Sequence, residues 1–140
     1  MPVNPYQKYQ QQSVMTMTPG EMLLKLYDEV ITQLNAVRQF NEEKDIPGAN
    51  AALKKAQRII TYLNQTLDFQ YEIPGSLSAL YDYFLRRLVE ANVHKDNGPI
   101  DEVLPMIQEL RETFAQADKN SRSGASGAPV PTAAAAPSQK

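Results

Sequence analysis

Catalysis needs a nucleophile, a tuned acid–base pair or a metal, and the residues that supply them are scarce here. In 140 residues histidine occurs once, as His94, and cysteine does not occur. Disulfides, thiolate nucleophiles and cysteine metal sites are thereby removed. His94 stands in Val93-His94-Lys95-Asp96 at a predicted helix end. A general base or metal ligand there would need partners that the sequence does not supply at ligand spacing. The acidic run Glu42-Glu43-Lys44-Asp45 reads as a solvated helix end rather than a carboxylate pair for acid–base work. No glycine-rich loop of the phosphate- or dinucleotide-binding kind occurs. The expectation is a protein that is not an enzyme and takes neither cofactor nor metal.

Binding chemistry is better represented. From Leu80 to Asn92 the sequence alternates apolar and charged residues at helical spacing. Leu77, Leu80, Tyr81, Phe84, Leu88 and Ala91 fall on one stripe at 100° per residue. Asp82, Arg86 and Glu90 stack at i, i+4, i+8 on the opposite face, where they are placed to form a charge ladder. Tyr83 and Arg87 flank the stripe, and Asn92 sits near the helix end. Charged residues make up 21% of the chain and the formal net charge is −2, so no basic field favours nucleic acid. The opening MPVNPYQKYQQQ lacks the cationic-then-apolar pattern of a secretory signal. No apolar run approaches the roughly 20 residues that span a bilayer. These features predict a cytoplasmic protein without membrane insertion.

The elements that position these residues are legible from caps and breaks. Residues 1–17, rich in Gln and Tyr, read as a mobile arm. Thr18-Pro19-Gly20-Glu21 is a capping-box pattern with Pro at the first helical position, and the helix it opens should reach Glu43. Asp45 caps a second helix over Ile46–Thr66, with Pro47 in the first turn, where its missing N–H costs nothing. Pro74-Gly75 turns the chain, Ser76 caps a third helix running to His94, and Asn97-Gly98-Pro99 breaks it again. The fourth helix spans Pro99–Ala117, with Pro105 as a kink or as the start of its regular part after a looser turn. Residues 118–140, small and Pro-rich, offer little apolar surface and read as a disordered tail. The fold class is all-α: an antiparallel up-down four-helix bundle over 18–117, between arm and tail.

The first helix is apolar over a wider arc than a surface helix requires. Leu23, Leu26, Tyr27, Val30, Leu34 and Val37 form its centre, Leu24 and Ile31 extend one edge, and Met22 and Phe40 the other. Two bundle neighbours cover part of this arc. The arm, a second subunit or a partner segment is expected to cover the remainder, and Tyr6, Tyr9, Val14, Met15 and Met17 are adaptable residues for that role.

Read together, several segments carry a resemblance. They are Asn4-Pro5-Tyr6-Gln7-Lys8-Tyr9, Ser13-Val14-Met15-Thr16-Met17-Thr18-Pro19, Leu26-Tyr27-Asp28, Glu43-Lys44-Asp45-Ile46 and Lys55-Ala56-Gln57-Arg58-Ile59-Ile60. Leu67-Asp68, the run from Leu80 to Asn92, Asp101-Glu102-Val103-Leu104 and Glu109-Leu110-Arg111 continue it. In this order and spacing they resemble the flagellin-specific secretion chaperones, the FliS family, over roughly residues 4–117. The resemblance implies a helical bundle that holds the C-terminal segment of flagellin in extended, partly helical form. Masking that segment prevents premature polymerisation, and the complex is handed to the flagellar type III export gate. It leaves further regulatory partners open. It also implies partner-binding roles for Tyr6 and Tyr9 in the arm, with Tyr27, Ile31, Tyr83, Arg87 and Asn92 expected on the bundle. Tyr27, close to the stripe centre, equally suits the core. Pro47-Gly48 and Pro105 depart from the family's better helix formers.

Two readings from other classes stand beside this one. A phosphotransfer bundle would use His94, but such a histidine belongs in mid-helix and this one borders the Asn97-Gly98-Pro99 break. A dimerisation adaptor would use the wide apolar arc of the first helix.

Overall fold

The computed structural model describes residues 17–67 and 76–122, and every regular element among them is a helix. α1 spans Pro19–Glu42, α2 Ile46–Gln65, α3 Ser76–His94 and α4 Gly98–Arg122. The expected arm before Met17, with Tyr6 and Tyr9, lies outside the described residues, as does the expected tail beyond Arg122.

α1 begins where the sequence places it. The Glu21 amide donates to Thr18 Oγ1 at 3.1 Å, and the Thr18 amide donates to Glu21 Oε1 at 3.0 Å, closing the capping box. At its other end the Asp45 amide reaches back to the Phe40 carbonyl at 2.9 Å, with Lys44 in the left-handed region at φ 59°. This is a Schellman-type stop built on lysine instead of glycine. α3 ends the same way, with Lys95 at φ 52° and the Asp96 amide bonded to the Ala91 carbonyl at 3.2 Å. α2 starts on Asp45, whose carboxylate accepts from the Gly48 amide at 3.0 Å, and Pro47 sits in the first turn. Gly48 is required there by packing. A Cβ would lie 2.7 Å from Phe40 Cδ1 and 2.8 Å from Asp45 Oδ2.

Cross-helix contacts give the topology. Asp28 meets Arg111 and Arg38 meets Asp101, so α1 and α4 run antiparallel. Asn50 meets Asn92 and Asn64 meets Asp82, so α2 and α3 do likewise. α1 packs on α2 and α4, and α3 packs on the same two helices, closing a four-membered ring of antiparallel neighbours. α1 and α3 face each other across the diagonal. Leu34, Val37, Leu53, Ala56, Leu88, Ala91, Ile100 and Val103 are fully buried between them.

Two expectations for α4 are corrected. The helix does not begin after a looser turn at Pro105, because residues 98–104 are already helical and the proline is taken up inside it. Pro105 and Asp101 are both exposed, and the Asp101 carbonyl loses its helical donor to the proline. Nor does the helix stop at Ala117. It continues to Arg122, with Phe114 and Asp118 both buried along it.

Candidate functional site

The residues singled out from the sequence divide among three places. Tyr27 is in the core at 1% exposure. Its ring tilts at 58° against Phe114, 5.5 Å between centroids. Its hydroxyl shares a 2.7 Å hydrogen bond with that of Tyr81, across the bundle diagonal. Burial, the nearby Tyr81 charge and the shared bond push the Tyr27 phenol far above its ordinary range. Tyr81 is pushed up to about 12 by burial, against the opposing effect of the bond to Tyr27. Both are neutral near pH 7, which is what a buried hydroxyl pair requires. Ile31 is half-buried and packs against the core from α1, as do Leu24, Leu26 and Phe40, so neighbours absorb most of the wide apolar arc.

Tyr83 and Arg87 come together on the face between α3 and α4. The Tyr83 hydroxyl donates to Glu102, and Arg87 Nε donates to the same carboxylate at 2.7 Å. Arg87 also pairs with Glu90 through Nη1. The two donations, Tyr83's first, hold the Glu102 carboxyl below its ordinary value, and acceptance by Glu102 raises both the Tyr83 phenol and the Arg87 guanidinium. This corrects the expected Asp82–Arg86–Glu90 ladder. Glu90 turns to Arg87, Asp82 accepts from Asn64 Nδ2 at 3.2 Å, and the Arg86 guanidinium lies 5.9 Å from the Tyr83 ring centroid. An Arg placed before a Glu at i,i+4 has the weaker orientation on a helix, and Arg86 gains a cation–π contact instead.

Asn92 belongs to the other end of α3. Its Nδ2 donates to Asn50 Oδ1 at 2.9 Å, and Lys95 Nζ bonds both its carbonyl, at 2.8 Å, and its side-chain oxygen. Nearby on the outer face, Val93 is 70% exposed and Val89 half exposed, an apolar excess that the stripe reading passed over. His94 is the last residue of α3 and is exposed. Among the described residues no group of His, Cys, Asp and Glu could hold a metal ion, and no helix is long and apolar enough to cross a membrane.

An open apolar feature lies where the described chain begins. Pro19, Met22, Leu23 and Leu26 in the first turns of α1 face Tyr62, Leu63 and Thr66 at the end of α2, around a notch of about 150 Å³. A space of that size takes up a benzene-sized ring, so one large apolar side chain fits. Tyr62, 48% exposed, forms its outer lip. Tyr62 and Glu102 were both missed in the sequence. The signal for Tyr62 was an aromatic outside the helical spacing of Leu53, Ala56, Ile60 and Leu63 on α2; for Glu102, whose partners are on another helix, there was none.

This bundle matches the family model described as "Flagellar protein FliS" over residues 2–121. The flagellar secretion chaperone FliS of Bacillus subtilis is 42% identical over 119 residues, covering 85% of this chain and 90% of that protein. The protein of the same name from Salmonella typhimurium is 36% identical over 107 residues, covering 74% of this chain and 79% of its own. The flagellar secretion chaperone FliSB of Pseudomonas aeruginosa is 32% identical over 110 residues. These relatives are chaperones and not enzymes. By the length matched and the identity reached, the chain belongs to the FliS family of flagellar proteins.

Proposed function

We propose that this chain is a cytoplasmic export chaperone that binds the disordered C-terminal segment of flagellin, keeps it from polymerising and presents it to the flagellar type III export gate. The observation that carries the reading is the apolar notch between the start of α1 and the end of α2, with the half-exposed Tyr62 at its lip. An amphipathic segment that folds on binding places single anchor side chains into such pockets and lays the rest along helix faces. The exposed Val89 and Val93 offer apolar surface for that continuation. No cofactor or nucleotide is needed, since burial of apolar area drives the association and competition at the export gate reverses it.

In this reading Ile31, Tyr83, Arg87 and Asn92 border the cargo, while Tyr27, being buried, fixes α1 from beneath. Tyr6 and Tyr9 act from the arm, which competes with cargo for the notch or touches the export gate. Equal hydrogen-exchange protection of residues 1–17 with and without cargo would remove the competition. The central test is light scattering of the purified chain with full-length flagellin and with flagellin lacking its C-terminal segment. A complex is expected with the first only. Equal complex formation with both would defeat the assignment.

A further inference from the structure

Charge is unevenly shared among the helices. α2 carries Lys54, Lys55 and Arg58 and contains no Asp or Glu, in a chain whose net charge is −2. Lys55 turns toward α1 and pairs with Glu29 at 3.4 Å. Lys54 and Arg58 do not: among the described residues no carboxylate lies within ion-pair distance of either, and both are exposed. They stand on one open groove with Gln57, Thr61, Tyr62 and Gln65. That set combines two exposed cations, two amides able to donate and accept, a hydroxyl and a half-exposed aromatic ring.

We propose that this face of α2 is a docking site for an extended acidic segment of a partner protein, one with carboxylates at alternate positions. The spacing supplies the argument. Lys54 and Arg58 are one helical turn apart, a rise of about 6 Å. In an extended chain, side chains on one side repeat every second residue, at about 6.6–6.8 Å. An acidic–any–acidic segment lying along α2 therefore meets both cations at once. Gln57, Thr61 and Gln65 lie beside that path to take up the segment's backbone N–H and C=O groups, which an extended peptide leaves unpaired. Tyr62 gives it an apolar edge to lie on. Nucleic acid is the poorer occupant, because two cations on a protein of net charge −2 are too few to offset its repulsion of a polyanion. This inference does not depend on the flagellin reading.

The test is an amide chemical-shift titration of the full chain at low salt with a synthetic peptide holding Glu-Val-Glu between glycines. The control peptide has the same composition with the two glutamates adjacent, so that their side chains point to opposite sides. Shifts should concentrate between Lys54 and Gln65. The alternating peptide should bind more tightly than the control, and the Lys54→Gln/Arg58→Gln variant should bind it about tenfold more weakly. Both positions are exposed, so the variant should keep the parent circular dichroism. Shifts spread equally over Lys25, Lys44 and Lys119, no preference between peptides, or unchanged binding by the variant would each overturn the proposal. A short oligothymidylate that perturbs the same amides more strongly than the peptide would overturn it in favour of nucleic acid.

Discussion

At the scale of single residues, the Tyr27–Tyr81 pair has the clearest measurable consequence. Both phenols are raised above their ordinary value, which means that each stays protonated in the fold at a pH where the unfolded chain has lost the proton. For an acid whose charged form is disfavoured by folding, stability is fully present below the unfolded pKa and falls as pH rises above it. The loss should begin near pH 10, the ordinary phenol value, and stay steep until Tyr81 itself titrates at about 12. The slope should be about 1.4 kcal/mol per pH unit for each tyrosine that ionises only on unfolding. Denaturant titrations between about pH 9 and 11.5 should show this fall, and the Tyr27→Phe/Tyr81→Phe chain should lack most of it. An equal slope in both would mean that these hydroxyls reach solvent. Neither tyrosine's partner was legible in the sequence. The two lie on the apolar stripes of helices that face each other only after the bundle closes, and periodicity names a face without naming what opposes it. The same holds for Glu102, which draws Tyr83 and Arg87 to α4 when the sequence offered them only neighbours on their own helix.

At the scale of elements, local signals were read where they are local. The capping box at Thr18, the Asp45 cap and the Asn97-Gly98-Pro99 break placed three helix starts within a residue of where they fall. The end of α4 escaped because beyond Phe114 the helix carries only small, polar and charged residues, which give no periodic apolar signal. Gly48 illustrates propensity yielding to packing. Alanine is the better helix former by about 0.5–1 kcal/mol, yet its Cβ would enter the space of the Phe40 ring and the Asp45 cap. Gly48→Ala should therefore destabilise the bundle by about 1–3 kcal/mol, as overpacking does. A gain in stability in a denaturant titration would mean that Phe40 moves aside freely. Pro105 gives the opposite expectation. It is exposed in mid-helix and removes a donor that its surroundings do not need removed. Pro105→Ala should restore one backbone bond and raise stability by about 1–3 kcal/mol. No gain would point to a bend at this position on which packing of the flanking turns depends.

At the scale of the whole molecule, the bundle and its candidate binding surfaces separate. Among the described residues the core is built from side chains of all four helices, and α1 has its own cap at Thr18. Residues whose side chains serve only a partner can then change without cost to the fold, and substitutions away from core, caps and strained turns shift stability by about 0.5 kcal/mol or less. Tyr6 and Tyr9 are the residues on which this separation can be tested. If they serve partners, Tyr6→Ala/Tyr9→Ala should leave the melting temperature within about 2 °C of the parent while weakening flagellin binding or docking to an export-gate fragment. Losing two aromatic anchors at a binding surface would weaken association by about tenfold or more, well above the error of a titration. The two readouts together discriminate between the alternatives. Lower melting temperature with proportionally lower binding would make the tyrosines part of the fold. Unchanged melting with unchanged binding would remove them from the interaction and leave the notch at Met22, Leu26 and Tyr62 to act without the arm.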